Sequence, residues 1–184
     1  MSDVVVVDYG AGNTRSVRAA LTHIGRTSIV SSDPSLIRDA EFVILPGVGS
    51  ARSAMEHLDR TGASRALFER FNEGASTLGI CLGMQLALEA TEEDGGVAGL
   101  GLLAGSVHRL HDGRVPRLGW ARVEPWGDTY YFAHSYAVES ADAVATSDGV
   151  TVAVHRGPFL GVQFHPEKSG SAGLNFLERC LSLA

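Results

Sequence analysis

The chain has 184 residues, of which 45% are hydrophobic and 20% are charged, a balance typical of ordinary soluble globular proteins. Its formal net charge is −6, and no run of Lys and Arg interrupts the sequence, which argues against a general nucleic-acid-binding surface. This length predicts one domain, residues 1–184, whose core needs neither a metal ion nor a disulfide for stability.

Cysteine usage and the first residues predict the compartment. The two cysteines, Cys81 and Cys180, lie in contexts that suggest no disulfide framework. The chain opens at Met1 with two polar residues and a strand pattern rather than a signal peptide, and its apolar runs are too short for membrane spans. We therefore expect a reducing, cytoplasmic setting, which would keep a reactive thiol free.

The first half predicts alternating strands and helices. Short apolar runs rich in β-branched residues suit parallel strands that are buried on both faces. The predicted strands are Val4–Val7, Thr27–Val30, Phe42–Leu45 and Thr77–Ile80. Helix patterns follow Asn13, begin at Pro34 with Asp33 as the N-cap, and span Ala51–Asp59 and Ser64–Glu73. The order is therefore β-α-β-α-β-α-β.

The second half has a different character. Short segments from Gly95 to Val123 are broken by glycine and proline turns, which favours short strands. Further strands are predicted at Tyr130–Tyr136, Thr151–His155 and Phe159–Phe164, and a closing helix at Ser171–Leu183. The whole chain is thus expected to be an α/β protein with an added antiparallel region.

One stretch, residues 77–85, has the pattern of a nucleophile elbow. An apolar strand breaks at Gly79, presents Cys81, meets Gly83 and continues as a helix. Glycines on both sides allow a sharp turn, and the positive end of the helix stabilises the negative charge of a thiolate. Taken alone, the pattern leaves two interpretations open: Cys81 is a nucleophile, or it is a small buried hydrophobe.

Two glycine-rich turns precede helix patterns. Gly47-Val48-Gly49 follows the third strand, and such turns offer free N–H groups to an anion or an oxyanion, although a plain βα loop is the alternative. Gly10 and Gly12 follow the first strand but lack the third glycine and the later acidic residue of a dinucleotide fingerprint, so we reject that interpretation.

His165 and Glu167 supply the partners that a cysteine nucleophile needs. The predicted strand Phe159–Phe164 delivers His165, Pro166 stiffens the next position, and Glu167 can orient the imidazole and stabilise its charged form. His23, His57, His108, His111 and His155 lack a comparable setting and are expected to be surface or packing residues.

With these motifs in view, the chain resembles the class I (triad) glutamine amidotransferases. Residues 79–85 match the family's nucleophile elbow, and His165-Pro166-Glu167 matches its histidine–glutamate pair. Four further motifs are similar to the glutaminase subunits of imidazole glycerol phosphate synthase, and they lie at residues 8–13, 46–50, 118–120 and 132–136. The resemblance runs from Asp8 to Ser169 in the family's order.

The resemblance implies a single-domain flavodoxin-like α/β fold, with a mostly parallel central sheet flanked by helices, and a glutaminase activity. Cys81 would attack the side-chain amide of glutamine, while His165, held by Glu167, moves the proton to the departing ammonia. The residues implied to bind the oxyanion or the amino-acid end of glutamine are Gly47, Val48, Gly49, Leu82, Gln85, Ser135 and Tyr136. Neither a cofactor nor a metal ion is implied.

The resemblance also implies a partner, a (β/α)₈-barrel cyclase subunit that forms a heterodimer with this chain and receives the ammonia. With its acceptor, the cyclase makes imidazole glycerol phosphate and an aminoimidazole carboxamide ribotide in histidine biosynthesis. Trp120 and Lys168 would face this partner. Ala121, where the family commonly has asparagine, and the short segment 107–116 depart from the pattern and would alter the partner-facing rim.

Three alternatives compete with this interpretation. Another amidotransferase subunit of the same class, such as one for pyridoxal phosphate or anthranilate synthesis, fits the motifs at residues 8–13 and 132–136 less well. A free-standing cysteine amidohydrolase would be expected to carry its own substrate domain. A non-catalytic module would normally lose a triad member, and all three residues are present.

Overall fold

The computed structural model describes residues 4–111 and 113–182. Within them, the strands are β1 (Val4–Val7), β2 (Ser28–Ser31), β3 (Phe42–Leu45), β4 (Thr77–Ile80), β5 (Ala90–Thr91), β6 (Val97–Ala98), β7 (Ser106–Arg109), β8 (Arg117–Arg122), β9 (Thr129–His134), β10 (Tyr136–Glu139), β11 (Ala143–Ser147), β12 (Val150–Arg156) and β13 (Phe159–Val162). The α-helices are α1 (Thr14–His23), α2 (Pro34–Asp39), α3 (Ala51–Thr61), α4 (Ala63–Glu73), α5 (Leu82–Leu86) and α6 (Gly170–Ser182).

The central sheet has the order β11-β12-β13-β4-β3-β1-β2 among the described residues. Strands β2, β1, β3, β4 and β13 are mutually parallel, and β12 and β11 extend the sheet as an antiparallel edge. Because β4 and β13 are parallel neighbours with Ile80 opposite Val162, the segments that follow them leave the sheet at the same edge. Parallel sheets bind ligands at this carboxyl edge.

The core has two sides, as a parallel sheet covered by helices requires. In β1, Val4 and Val6 pack on one side with α1 and α6, while Val5 and Val7 pack on the other side with α2, α3 and α4. All four valines are buried, which explains why this strand is a continuous apolar run rather than an alternating one. The predicted α/β architecture is confirmed.

The predicted strand Tyr130–Tyr136 is wrong as a single element. The chain forms β9 up to His134 and then β10 from Tyr136, and the two strands belong to different sheets. β9 pairs with β8, whereas β10 pairs with β7. The break falls at Ser135, whose carbonyl accepts a hydrogen bond from Leu110 at 2.9 Å. Local strand propensity alone predicts one continuous strand through Ser135, but the pairing of β10 with β7 ends that strand at His134.

Smaller differences concern the ends of elements. The strand predicted at Thr27–Val30 is shifted by one residue, and the strand predicted to reach Phe164 ends at Val162, where the pairing with β12 stops. The predicted last helix begins one residue later than α6, and its predicted final residue, Leu183, lies outside the described residues. In the described part of the chain, no helix has the length and apolar character needed to cross a membrane.

Arg70 is a fully buried cation that sequence reasoning did not single out. Its guanidinium donates hydrogen bonds to the carbonyls of Ile37 (3.1 Å), Arg38 (2.9 Å) and Ala40 (2.6 Å), which end α2, and to the carbonyl of Ser76 (2.8 Å), just before β4. Helix ends leave carbonyls without intrahelical partners, and a buried arginine satisfies several of them at once. Arg70 therefore joins α2 to the chain that enters β4.

Replacement of Arg70 by methionine should lower the free energy of unfolding by about 3 kcal/mol or more, because the buried carbonyls lose a charged donor. Urea denaturation measures the change. The matched control is Arg65→Met on the same helix, where an exposed ion pair with Glu69 is lost, and its effect should stay below about 0.5 kcal/mol. Equal effects of the two substitutions would contradict the role given to Arg70.

Candidate active site

Cys81 occupies a strained corner between β4 and α5. Its φ of 51° and ψ of −108° place it in a region that residues with a side chain rarely adopt. The surrounding backbone fixes this conformation: the Cys81 N–H donates to the Val162 carbonyl at 2.7 Å, and the Cys81 carbonyl accepts from Met84 and Gln85 at 3.1 and 3.2 Å. The strand-to-helix elbow that the glycine pattern predicts is present.

His165 and Glu167 form a buried hydrogen-bonded pair beside the elbow. Nδ1 of His165 lies 2.8 Å from Oε1 of Glu167, and their side chains are 2% and 1% exposed. The same carboxylate oxygen accepts a hydrogen bond from Nδ2 of Asn13 at 3.0 Å. His165 is also close enough to Cys81 for the two side chains to interact electrostatically. Because Nδ1 is engaged with Glu167, Nε2 is the nitrogen available to the sulfur.

Electrostatics favour the protonated form of His165. Burial is the largest single influence and lowers the pKa of the imidazole, but the hydrogen bonds and negative charges of Cys81 and Glu167 together outweigh it and raise this pKa to about 9. At neutral pH the imidazole is therefore held as an imidazolium, and it lies between Cys81 and Glu167. An imidazolium next to a sulfur anion is the arrangement that a thiol nucleophile requires.

Two glutamines connect Cys81 to the opposite wall of the site. Nε2 of Gln163 lies 3.4 Å from the sulfur of Cys81, and Oε1 of Gln163 accepts a hydrogen bond from Nε2 of Gln85 at 2.9 Å. Nε2 of Gln85 also donates to the carbonyl of Tyr136 at 3.2 Å. Nδ1 of His134 contacts that same carbonyl at 2.7 Å. Sequence reasoning gave no role to Gln163 or His134.

The turn at residues 47–49 packs directly against the elbow. A Cβ atom on Gly47 would overlap the Ile80 carbonyl oxygen and the Leu82 nitrogen, so only glycine permits this approach. Leu82 is the first residue of α5, and the first N–H groups of a helix have no intrahelical partner. The Tyr9 hydroxyl donates to the Pro46 carbonyl at 2.7 Å and supports the turn from behind. The turn and the start of α5 therefore form one wall of the space beside Cys81.

A cavity of about 280 Å³ opens above these groups. Its lining brings together the residues predicted from the glycine turn, the elbow and the second half of the chain: Gly47, Val48, Gly49, Cys81, Leu82, Gln85, Ser135, Tyr136, His165 and Lys168. Glu93, Pro116, Leu118, Ala133 and His134 complete the lining. Glu167 lies behind His165, where its side chain is shielded from solvent. The volume suits a ligand the size of an amino acid.

Trp120, like Glu167, is a predicted site residue that does not line the cavity. It is 60% exposed on β8, two residues beyond Leu118, which is 58% exposed and lines the cavity. The Trp120 ring packs edge-on against Tyr131, with ring centroids 6.0 Å apart. Lys168 is exposed at the cavity. An apolar surface formed by Leu118 and Trp120, which we call the β8 surface, therefore adjoins the opening.

Gln163 and His134 could have been found from strand alternation and motif position. Val162 and Phe164 point into the hydrophobic core, so the residues that alternate with them, Gln163 and His165, face the other way.

His134 is neutral at pH 7. Burial is the main cause that lowers its pKa to about 4; the charges of Arg117 and His165 lower it further, while the hydrogen bond to the Tyr136 carbonyl opposes the shift. Among the described residues, no group of three metal-ligating side chains converges.

The fold and site define a class of enzyme. Residues 5–182 match the family described as glutamine amidotransferase class-I. Solved structures with the same fold include one described as a glutamine amidotransferase, with a TM-score of 0.81 at 20% identity over 98% of this chain and 99% of that one. A second, of PurLQS from Thermotoga maritima, has a TM-score of 0.75 at 19% identity over 100% and 99% of the two chains.

Relatives refine this class. The chain is 45% identical to the imidazole glycerol phosphate synthase subunit HisH of Symbiobacterium thermophilum, over 96% of this chain and 92% of the relative. It is 41% identical to the protein of that name from Exiguobacterium sibiricum, over 95% and 92%, and 42% identical to that from Moorella thermoacetica, over 97% and 93%. The chain belongs to the class I glutamine amidotransferases and, within them, to the HisH subunits of imidazole glycerol phosphate synthase.

The His165 imidazole should lose its proton as the pH rises through about 9. NMR of the carbons of the imidazole ring measures this titration. In Glu167→Gln the titration should move to lower pH, because a neutral amide no longer stabilises the imidazolium. The urea-unfolded chain, in which histidines titrate near pH 6.5, is the reference. A native His165 titrating near pH 6.5, or an upward movement in Glu167→Gln, would refute this electrostatic account.

Proposed function

We propose that Cys81, His165 and Glu167 form the catalytic triad with which this glutaminase subunit of imidazole glycerol phosphate synthase releases ammonia from glutamine. One observation carries the proposal: Cys81 and His165 line the same amino-acid-sized cavity, and a buried contact of 2.8 Å joins the His165 imidazole to the Glu167 carboxylate behind it. The functional unit is the whole chain, residues 1–184, and we expect it to work in the cytoplasm.

Acylation uses the groups in the order in which they lie. The Cys81 thiolate adds to the side-chain carbonyl carbon of glutamine, forming a carbon–sulfur bond, while the carbonyl oxygen becomes an oxyanion. His165 gives its Nε2 proton to the amide nitrogen, the carbon–nitrogen bond breaks, and ammonia departs from a glutamyl thioester. Backbone N–H groups of Leu82 and of the 47–49 turn stabilise the oxyanion.

Deacylation reverses the roles. The neutral His165 takes a proton from water, the hydroxide adds to the thioester carbon, and the collapse of this second tetrahedral intermediate releases glutamate and restores the Cys81 thiolate. Glu167 remains bonded to Nδ1 throughout, so it orients the ring and stabilises its charge without bonding to substrate. The two half-reactions balance as glutamine and water giving glutamate and ammonia.

The groups proposed to bind the amino-acid end of glutamine are fixed as hydrogen-bond donors or acceptors by their contacts within the protein. Both amide hydrogens of Gln85 are used within the protein, so its Oε1 remains as an acceptor for the α-ammonium group. The carbonyls of Ser135 and Tyr136 are also occupied, by Leu110 and by Gln85 with His134. The Tyr136 carbonyl therefore has both lone pairs engaged, and the backbone N–H groups of Ser135 and Tyr136 suit the α-carboxylate.

The partner proposed is a (β/α)₈-barrel cyclase subunit that forms a heterodimer with this chain. Support comes from the relatives, which are named as subunits of a synthase, and from the exposed β8 surface beside the cavity. Trp120 and Leu118 would be buried by the cyclase, while Lys168 contributes a charge at the rim. Exposed apolar patches that adjoin a site commonly mark protein contacts. A cyclase subunit docked on the β8 surface would receive the ammonia before it reaches bulk water and is protonated.

Cys81→Ala should abolish glutamine hydrolysis and glutamine-dependent synthesis, while synthesis from added ammonium salts continues in the complex, because the sulfur serves only amide cleavage. Glutamate formation and cyclase product are measured on the same complex. Cys180→Ala, which removes the other cysteine, should retain the glutaminase rate. A Cys81→Ala complex that hydrolysed glutamine at the native rate would eliminate Cys81 as the nucleophile.

Trp120→Ala should weaken binding of the cyclase subunit by about tenfold or more, since exposed tryptophans are frequent energetic centres of interfaces. Isothermal titration calorimetry measures the dissociation constant. The control is Phe68→Ala, which removes an aromatic ring that is 49% exposed on α4 and should leave the affinity unchanged. An affinity that responds to Phe68 and not to Trp120 would place the interface elsewhere.

A further inference from the structure

Gln163 is fully buried, yet its side chain is polar at both ends and both ends are used. Its Nε2 faces the sulfur of Cys81 at 3.4 Å, and its Oε1 accepts a hydrogen bond from Gln85 at 2.9 Å. A buried primary amide costs free energy unless its groups are paired. An apolar side chain would fill the same space without that cost, so the amide points to a function at the sulfur.

We propose that Gln163 is a further catalytic residue, whose side-chain amide donates a hydrogen bond to the Cys81 thiolate and stabilises the negative charge of the nucleophile. The inference rests on the proposed function, since it concerns the same sulfur. His165 supplies one stabilising group on the nucleophile, and Gln163, two residues earlier in the same segment, supplies a second. Hydrogen bonds to charged groups are stronger than those between neutral groups.

Gln85 determines which end of the Gln163 amide faces the sulfur. The two Nε2 hydrogens of Gln85 go to the Tyr136 carbonyl and to Oε1 of Gln163. Rotation of the Gln163 amide by half a turn would set its NH₂ group against the NH₂ group of Gln85 and its carbonyl oxygen against the thiolate. Both contacts are repulsive, so Gln85 holds the donor toward Cys81.

This arrangement gives Gln85 a second effect on the reaction. Its Oε1 is the acceptor proposed for the α-ammonium group of the substrate, and its Nε2 orients the donor on the nucleophile. Correct seating of glutamine and stabilisation of the thiolate are therefore joined through one side chain. The carbonyl of Tyr136, which also receives Nδ1 of His134, anchors the other end of this chain of contacts.

Alkylation of Cys81 tests the proposal without using glutamine turnover. The isolated chain is treated with iodoacetamide across a range of pH, and Cys81 modification is followed by peptide mass spectrometry. Cys180 serves as an internal reference, because burial raises the pKa of its thiol to about 12. The other titratable groups facing Cys81 are His165 and Tyr9, from the segment after β13 and the loop after β1, and neither is altered.

In Gln163→Leu, the midpoint of the alkylation profile should move to higher pH. Below the midpoint, modification should slow about threefold, because a roughly tenfold loss of thiolate stabilisation is partly offset by the greater nucleophilicity of a more basic sulfur. Above the midpoint, the rate should equal or exceed that of the native chain. This rise is the signature that structural damage alone would not give.

A second variant and a control keep the test decisive. Gln163→Glu still accepts from Gln85 but places a carboxylate beside the sulfur, so its midpoint should move further upward than that of Gln163→Leu. The control is Phe164→Leu, which disturbs the neighbouring buried residue that stacks on Tyr130 on the opposite side. Its midpoint should equal that of the native chain.

Unchanged midpoints in both Gln163 variants would overturn the inference and assign the amide to packing. That result would leave the proposed function intact, because the function is tested separately by glutamate release from Cys81→Ala. Conversely, hydrolysis that survives in Cys81→Ala would overturn the function whatever the alkylation profiles show. The two failures are therefore distinguishable.

Discussion

Close contact between two stretches of backbone is the constraint on which the site depends. The turn after β3 lies against the elbow after β4 so tightly that a Cβ atom on Gly83 would overlap the Leu45 carbonyl, and one on Gly47 would overlap the Ile80 carbonyl. Side chains cannot separate the two segments, so the backbones of the turn and of the first residues of α5 lie together beside Cys81. The glycines therefore act by allowing approach, and neither Gly47 nor Gly83 has a positive φ.

The parallel pairing of β4 with β13 supplies the other half of the site. Because the Cys81 N–H donates to the Val162 carbonyl at 2.7 Å, the nucleophile and the segment that carries His165 leave the sheet side by side. One hydrogen bond thus links strand register to the sulfur–imidazole contact. A slip of one residue in this pairing would turn the side chains to the other face and separate the groups.

The sequence predicted those features of the fold that depend on neighbouring residues in the chain. Strands β1, β3 and β4 were evident because burial on both faces demands apolar runs, and the elbow was evident from Gly79, Cys81 and Gly83. The break at Ser135 was not, because pairing with distant Leu110 overrides strand propensity. The amide contacts of Gln163 could not be predicted from the sequence either, since they join residues far apart in the chain whose side-chain orientations depend on one another.

Asn13 shows how the site takes precedence over local stability. It occupies the N-cap of α1, where an asparagine side chain usually bonds to the helix and contributes about 1 kcal/mol, but it makes no such bond. Its amide donates instead to Glu167 at 3.0 Å. Glu167 is a buried carboxylate, and a buried anion requires donors if it is to remain charged. Asn13 therefore trades a helix cap for the charge that keeps His165 protonated, a local exception of the kind expected where function constrains the fold.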